Sequence, residues 1–110
     1  MKTAFIGRWR IVEIEQWDRD FLDLVAPARI TFARGGRGEV HFGAVDLTLD
    51  WRAPAAGGRV VFTFEGFDEG DEVSGRGWAK LDGDRLNGKI LFHMGEKSGF
   101  VARKSAKARR

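Results

Sequence analysis

The chain has 110 residues, no cysteine, and a hydrophobic content of 43% that includes nine Phe and four Trp. This length and composition predict one folded globular domain and exclude an intrinsically disordered chain. Without cysteine the chain cannot form disulfides, thiolate nucleophiles or cysteine-ligated metal sites, which fits a reducing compartment such as the cytoplasm.

The N-terminal stretch MKTAFIGRWRIVEIE lacks the apolar core of a signal peptide. No apolar run in the sequence approaches the roughly 18 residues that a membrane-spanning helix needs. We therefore expect a cytoplasmic protein with no signal peptide and no membrane partner.

The first predicted elements are a strand over residues 4–15 and a short helix over residues 16–26. The strand places every second residue on one face: Phe5, Gly7, Trp9 and Ile11. In the helix, apolar residues recur at helical spacing, and Pro27 ends the pattern. A helix placed directly behind the first strand is expected to cap one end of a β structure.

Seven further strands follow, each a short run with period-two alternation between turns rich in Gly and Asp. They are predicted at 28–34, 38–43, 45–52, 59–67, 73–81, 85–93 and 98–103. Eight short strands joined by tight turns form an antiparallel meander, which closes readily because closure removes exposed edges. The predicted fold is therefore an all-β, eight-stranded, antiparallel up-and-down barrel with one capping helix after strand 1.

The net charge of +3 is unevenly distributed along the chain. Five of the 19 Lys and Arg lie in the last eight residues, RKSAKARR, which leaves 14 against 16 Asp and Glu. We therefore expect one slightly acidic barrel domain, residues 1–103, followed by a basic and flexible tail, residues 104–110. An acidic body argues against nucleic acid as a partner.

The stretch GRW at residues 7–9, on the first of eight predicted strands, resembles the Gly-x-Trp motif of the calycins. These are the lipocalin, fatty-acid-binding and avidin-like barrels. The resemblance implies that a basic residue of the last strand packs over Trp9, and Arg103 matches that residue by position. It also implies a barrel that binds a small molecule in its interior. The chain further resembles uncharacterised small bacterial proteins with strands like SGRGWA.

Candidate ligand-binding residues lie on strands where polar and aromatic side chains interrupt the apolar pattern. Glu13 continues the inward face of strand 1 unless a bulge turns it to solvent, and an inward carboxylate needs a cation such as Arg52 or Arg76. In SGRGW, Arg76 and Trp78 share one face and two glycines share the other. If the Arg76 face points inward, Arg76 can pair with Glu13, Glu65 or an anionic ligand.

Three classes of function remain open on these observations. The first is a small-molecule-binding barrel with an unknown ligand, and the alternative is a barrel with a filled core that acts as a protein-interaction module. An enzyme such as a cyclase or isomerase, using Glu13 or Glu65 with Arg76, is less favoured, because no nucleophile motif or phosphate loop is present. A nucleic-acid binder is also less favoured, because eight strands are predicted where cold-shock and OB barrels have five. No metal-ligand spacing occurs around His41 or His93, and the sequence does not define a cofactor.

Overall fold

The computed structural model describes residues 5–15, 27–55 and 58–104. Eight strands lie in these ranges: β1 (Gly7–Ile14), β2 (Arg29–Ala33), β3 (Arg37–Phe42), β4 (Val45–Ala55), β5 (Arg59–Asp68), β6 (Asp71–Asp82), β7 (Arg85–Phe92) and β8 (Lys97–Lys104). A single 3-10 turn, Arg34–Gly36, joins β2 to β3. The helix predicted for 16–26 falls outside the described residues. Within them, no helix has the length and apolarity needed to cross a membrane.

Every strand pairs antiparallel with the next one along the chain, and β8 pairs with β1 to close the sheet. The prediction of an eight-stranded up-and-down barrel is therefore confirmed. Its main boundary differences are that β1 begins at Gly7, β6 begins at Asp71, and β8 includes Lys104. The last difference places Lys104 in the sheet instead of in the predicted tail.

The inward side chains of all eight strands form one contiguous hydrophobic core. Period-two alternation produces this core directly, because every second side chain of a strand points to the same side of the sheet. On β5, for example, Val60, Phe62 and Phe64 are buried and the residues between them are exposed. The interior of the barrel is thus occupied by the protein's own side chains.

Three inward glycines make room for three phenylalanine rings across the sheet. Gly75 pairs with Phe64 and Gly77 with Phe62, while Gly88 of β7 pairs with Phe100 of β8. A Cβ built on Gly77 would lie 2.6 Å from Cζ of Phe62, and one built on Gly75 would lie 2.7 Å from Cζ of Phe64. The glycines in the SGRGW stretch therefore accommodate aromatic rings in the core and leave no space for a ligand beside them.

Two buried tryptophans hold the ends of strands in place through their indole N–H groups. Trp51 donates to the carbonyl oxygens of Ala33 at 3.0 Å and Arg37 at 2.7 Å, on either side of the 3-10 turn. Trp9 donates to the carbonyl oxygen of Phe5 at 3.0 Å. Because a buried N–H without a partner is costly, these bonds permit both indoles to lie in the core.

A bulge in β1 determines where the acidic end of that strand points. The pairing with β8 shifts between Ile11 and Glu13, so Ile14 returns to the core and Glu13 is exposed. The next residue, Glu15, accepts a hydrogen bond from the backbone N–H of Gly99 at 3.0 Å. The bulge therefore avoids the cost of an inward carboxylate.

Candidate functional site

An open groove runs across the outer face of β4, β5, β6 and β7, with a volume of about 1140 Å³. We call it the outer groove. Eight of its fourteen lining residues are polar or charged: Arg37, Thr48, Asp50, Thr63, Glu65, Ser74, Arg76 and His93. The other six are Leu49, Phe64, Gly75, Leu91, Phe92 and Met94. Outward residues of four neighbouring strands supply most of this lining, because alternation sends every second side chain away from the core.

Arg76 lines the outer groove and is exposed. Its cross-strand neighbours are Thr63 on β5 and Leu91 on β7. Within the described ranges, no carboxylate is recorded as an ion-pair partner of Arg76. The inward alternative for Arg76 is therefore wrong. The physical reason is that the Phe62 and Phe64 rings require the glycine face of β6 to point into the core.

Glu65 and Arg52 also emerge on this outer face. Glu65 stands between Thr48 of β4 and Ser74 of β6 in the sheet. Arg52 pairs with Val61, which in turn pairs with Trp78. Both charged side chains are exposed, so neither one lies inside the barrel.

Trp78 lies beside the outer groove and is half-buried under a cation. The guanidinium carbon of Arg59 sits 4.3 Å from the centroid of the indole. A smaller cleft of about 490 Å³ connects this pair with Arg52, Val61 and Arg76. We call these five residues the Trp78 patch. It combines an aromatic surface with three guanidinium groups, an arrangement suited to flat or anionic partners.

Glu13 lies away from Arg52, Glu65 and Arg76 but near Trp78. Its side chain is exposed and lines a different cleft of about 460 Å³, which it shares with Asn87, Val101 and Trp78. The structure therefore brings together Arg52, Glu65, Arg76 and Trp78, on the outside of the barrel, and places Glu13 on the neighbouring surface.

The cation over Trp9 is Lys104 and not Arg103. Lys104 stands directly opposite Trp9 in the β1–β8 pairing, and its Nζ lies 4.7 Å from the indole centroid. That Nζ also donates to the carbonyl oxygen of Ile6 at 3.0 Å. Arg103 pairs with Arg10 and so points to the outer face. The predicted partner is thus one residue away from the observed one. Because successive side chains of a strand point to opposite faces of the sheet, Arg103 and Lys104 lie on different faces.

One polar pair, between β3 and β4, is not among the residues predicted from the sequence. Nδ1 of His41 lies 2.7 Å from a carboxylate oxygen of Asp46, and the imidazole is buried although it points to the outer face. Because a carboxylate only accepts, Nδ1 donates in this bond. The two residues stand opposite each other across the β3–β4 hairpin. The sequence could have predicted this contact, because residues that flank a tight turn at equal distances face each other in a hairpin.

Removal of the Arg76 side chain should have little effect on folding. We expect Arg76→Ala to change the free energy of unfolding by no more than about 0.5 kcal/mol, as is usual for an exposed residue without a buried partner. Urea denaturation of both proteins would measure it. A loss near 3 kcal/mol would instead show that Arg76 takes part in a buried ion pair.

Comparison with protein-family models, with curated proteins and with solved structures finds no match for this chain. Across residues 5–15, 27–55 and 58–104, no group of three or more His, Asp or Glu side chains is placed to hold a metal ion. The class that the structure defines is an eight-stranded antiparallel barrel with a groove of mixed polar and apolar lining on its outer face.

Proposed function

We propose that this protein is a filled-core barrel that works as an interaction module and binds its partner in the outer groove. The observation that supports this best is the packed interior, where inward side chains of all eight strands form a single core. A small-molecule carrier of the calycin type instead needs a lumen wide enough for its ligand.

The resemblance to the calycins extends to the barrel architecture. It does not by itself support a carrier function. In such a barrel the ligand would occupy the space beside the inward glycines of β6. Here the rings of Phe62 and Phe64 occupy that space. Fold alone does not define function, so the position of the polar residues has more weight.

The chemistry of the outer groove fits a charged segment of a larger partner. Arg76 can bind a carboxylate or phosphate through two parallel N–H bonds, and Ser74 and Thr63 add hydroxyl donors on either side. Asp50 and Glu65 lie in the same groove and can accept from a partner's donors. A groove of mixed charge on an exposed sheet suits a macromolecular surface better than an apolar small molecule.

Native mass spectrometry of gently purified protein tests this proposal against the small-molecule alternative. We expect the folded ion to have the mass of the polypeptide alone, because a filled core leaves no site for an enclosed ligand. A co-purified small molecule that is released only on unfolding would contradict the proposal and favour a small-molecule-binding barrel.

A further inference from the structure

The charges of this barrel are separated along its axis. One end contains the β2–β3 and β6–β7 turns and the end of β8. Dividing each strand at its midpoint, ten of the fourteen described Lys and Arg lie in that half, and the other four are Arg29, Arg76, Lys89 and Lys97. Nine of the thirteen described Asp and Glu lie in the opposite half. The other four are Glu39, Asp50, Asp82 and Asp84, and Asp50, at the midpoint of β4, stands opposite Arg37 at the start of β3. We call the two parts the basic half and the acidic half.

The Trp78 patch lies toward the basic half. Arg52 and Arg59 belong to that half, and within the described ranges no ion-pair partner is recorded for either of them. Lys80 and Lys89 adjoin the patch, since they pair across the sheet with Arg59 and Trp78. The cations around this indole are therefore available to an incoming anion.

A row of arginines extends the positive surface around the barrel. Arg85, Arg103, Arg10 and Arg29 are consecutive cross-strand neighbours on β7, β8, β1 and β2, all on the outer face. Asp82 stands opposite Arg85 at one end of this row, and the outward arginines add positive potential to this surface. The sequence after Lys104 contains three further cations, Lys107, Arg109 and Arg110.

We infer that the partner of the proposed interaction module is a single-stranded nucleic acid, bound at the Trp78 patch and along the basic half. This inference rests on the proposed function. Phosphates would contact Arg52, Arg76 and Lys89, and a base would stack on the Arg59 guanidinium that lies over the Trp78 ring. Aromatic platforms flanked by cations are the usual means of binding single strands without sequence preference.

The slightly acidic net charge of the body does not oppose this inference. Electrostatic attraction depends on the local potential at the contact surface, and screening limits the reach of the acidic half to about 8 Å at physiological salt. Asp50 lines the cleft of the Trp78 patch, and Glu13 and Glu15 line a second cleft that Trp78 shares. These three carboxylates are outnumbered by the five cations of this surface, Arg52, Arg59, Arg76, Lys80 and Lys89. A polarised barrel can thus orient itself with the basic half toward a phosphate backbone.

Fluorescence anisotropy with a labelled oligothymidylate of about 20 nucleotides provides the test. The full chain should bind saturably, and its affinity should fall steeply between about 50 and 200 mM salt. We expect Trp78→Ala to weaken binding at least about fivefold, because stacking on an aromatic ring is lost. Arg59→Ala should weaken it about threefold or more through the lost phosphate or stacking contact.

Lys97→Ala is the matched control, since it also removes one positive charge but lies in the acidic half. We expect it to change the affinity by less than about twofold. Equal losses in Arg59→Ala and Lys97→Ala would overturn the inference, because attraction would then follow net charge alone. Binding to vesicles containing phosphatidylserine, without binding to the oligonucleotide, would overturn it in favour of a lipid surface.

A backbone NMR titration separates failure of this inference from failure of the proposed function. If the oligonucleotide does not bind, the nucleic-acid inference is wrong, although the outer groove can still serve another partner. If the oligonucleotide binds but leaves Arg59, Arg76 and Trp78 unshifted, the proposed site is wrong. Shifts centred on Arg59, Arg76 and Trp78 would support both.

Discussion

Replacing Trp9 by alanine should lower the free energy of unfolding by about 3–5 kcal/mol, the range for removal of a buried aromatic ring. The indole is 2% exposed, and its N–H bonds to the carbonyl oxygen of Phe5. Its loss leaves a cavity in the core and removes the surface over which Lys104 packs. Urea or guanidinium denaturation followed by circular dichroism would measure the change.

Trp78→Ala is the matched control for this experiment, because it removes the same side chain from the outer face. We expect a loss of about 1 kcal/mol or less, since the half-buried Trp78 indole contributes chiefly its contact with Arg59. Similar losses in both variants, or a loss below about 1 kcal/mol for Trp9→Ala, would show that Trp9 is not part of the core.

Gly77→Val should destabilise the barrel by about 3 kcal/mol through overpacking. The added Cβ would lie 2.5 Å from the carbonyl oxygen of Lys89 and 2.6 Å from Cζ of Phe62. Neither neighbour can move far, because one is backbone of the adjacent strand and the other is a ring in the core. Thermal and chemical denaturation of the variant would give the loss.

Lys80→Val provides the control on the exposed face of the same strand, where valine is a good strand former. We expect it to be within about 0.5 kcal/mol of the parent chain. A Gly77→Val protein as stable as the parent would mean that space exists beside Gly77. That result would favour an open lumen and a small-molecule ligand.

The strand count and the closure of the barrel could be predicted from the sequence, because both depend on local signals. Alternation on residues 45–52 and 59–67, with turn residues between them, defines two neighbouring antiparallel strands without any knowledge of distant contacts. Repeating that pattern eight times leaves two free edges, and pairing them is the simplest way to satisfy their backbone groups. The same reasoning located nearly all strand boundaries within a few residues.

The direction of the SGRGW face could not be predicted, because neither face of that strand is clearly apolar. Ser74, Arg76 and Trp78 alternate with two glycines and an alanine, so alternation alone does not choose between them. The choice depends on the register with β5, where Phe62 and Phe64 need the glycine side. Register joins residues far apart in sequence and is set by packing across the whole sheet.

The Trp78 patch on the outer face could not be predicted from the sequence for the same reason. Arg59 reaches Trp78 only because the β5–β6 pairing aligns Val61 with Trp78 and leaves Arg59 on the adjoining diagonal. Net charge likewise concealed the basic and acidic halves, because opposite charges cancel in a sum even when the fold separates them. The prediction from sequence position placed Arg103 over Trp9. The β1–β8 register instead places the next residue, Lys104, opposite Trp9.

The most direct test of surface binding by a filled barrel is a backbone amide NMR spectrum of the labelled protein during titration. The dialysed macromolecular fraction of a cell extract and its small-molecule dialysate would be added in separate experiments. We expect the macromolecular fraction to shift outward residues of β4–β7, such as Thr63, Arg76 and Trp78, and the dialysate to shift none. Saturable shifts of inward residues such as Ile30, Leu49 and Val60 with the dialysate would contradict this and place the ligand inside the barrel.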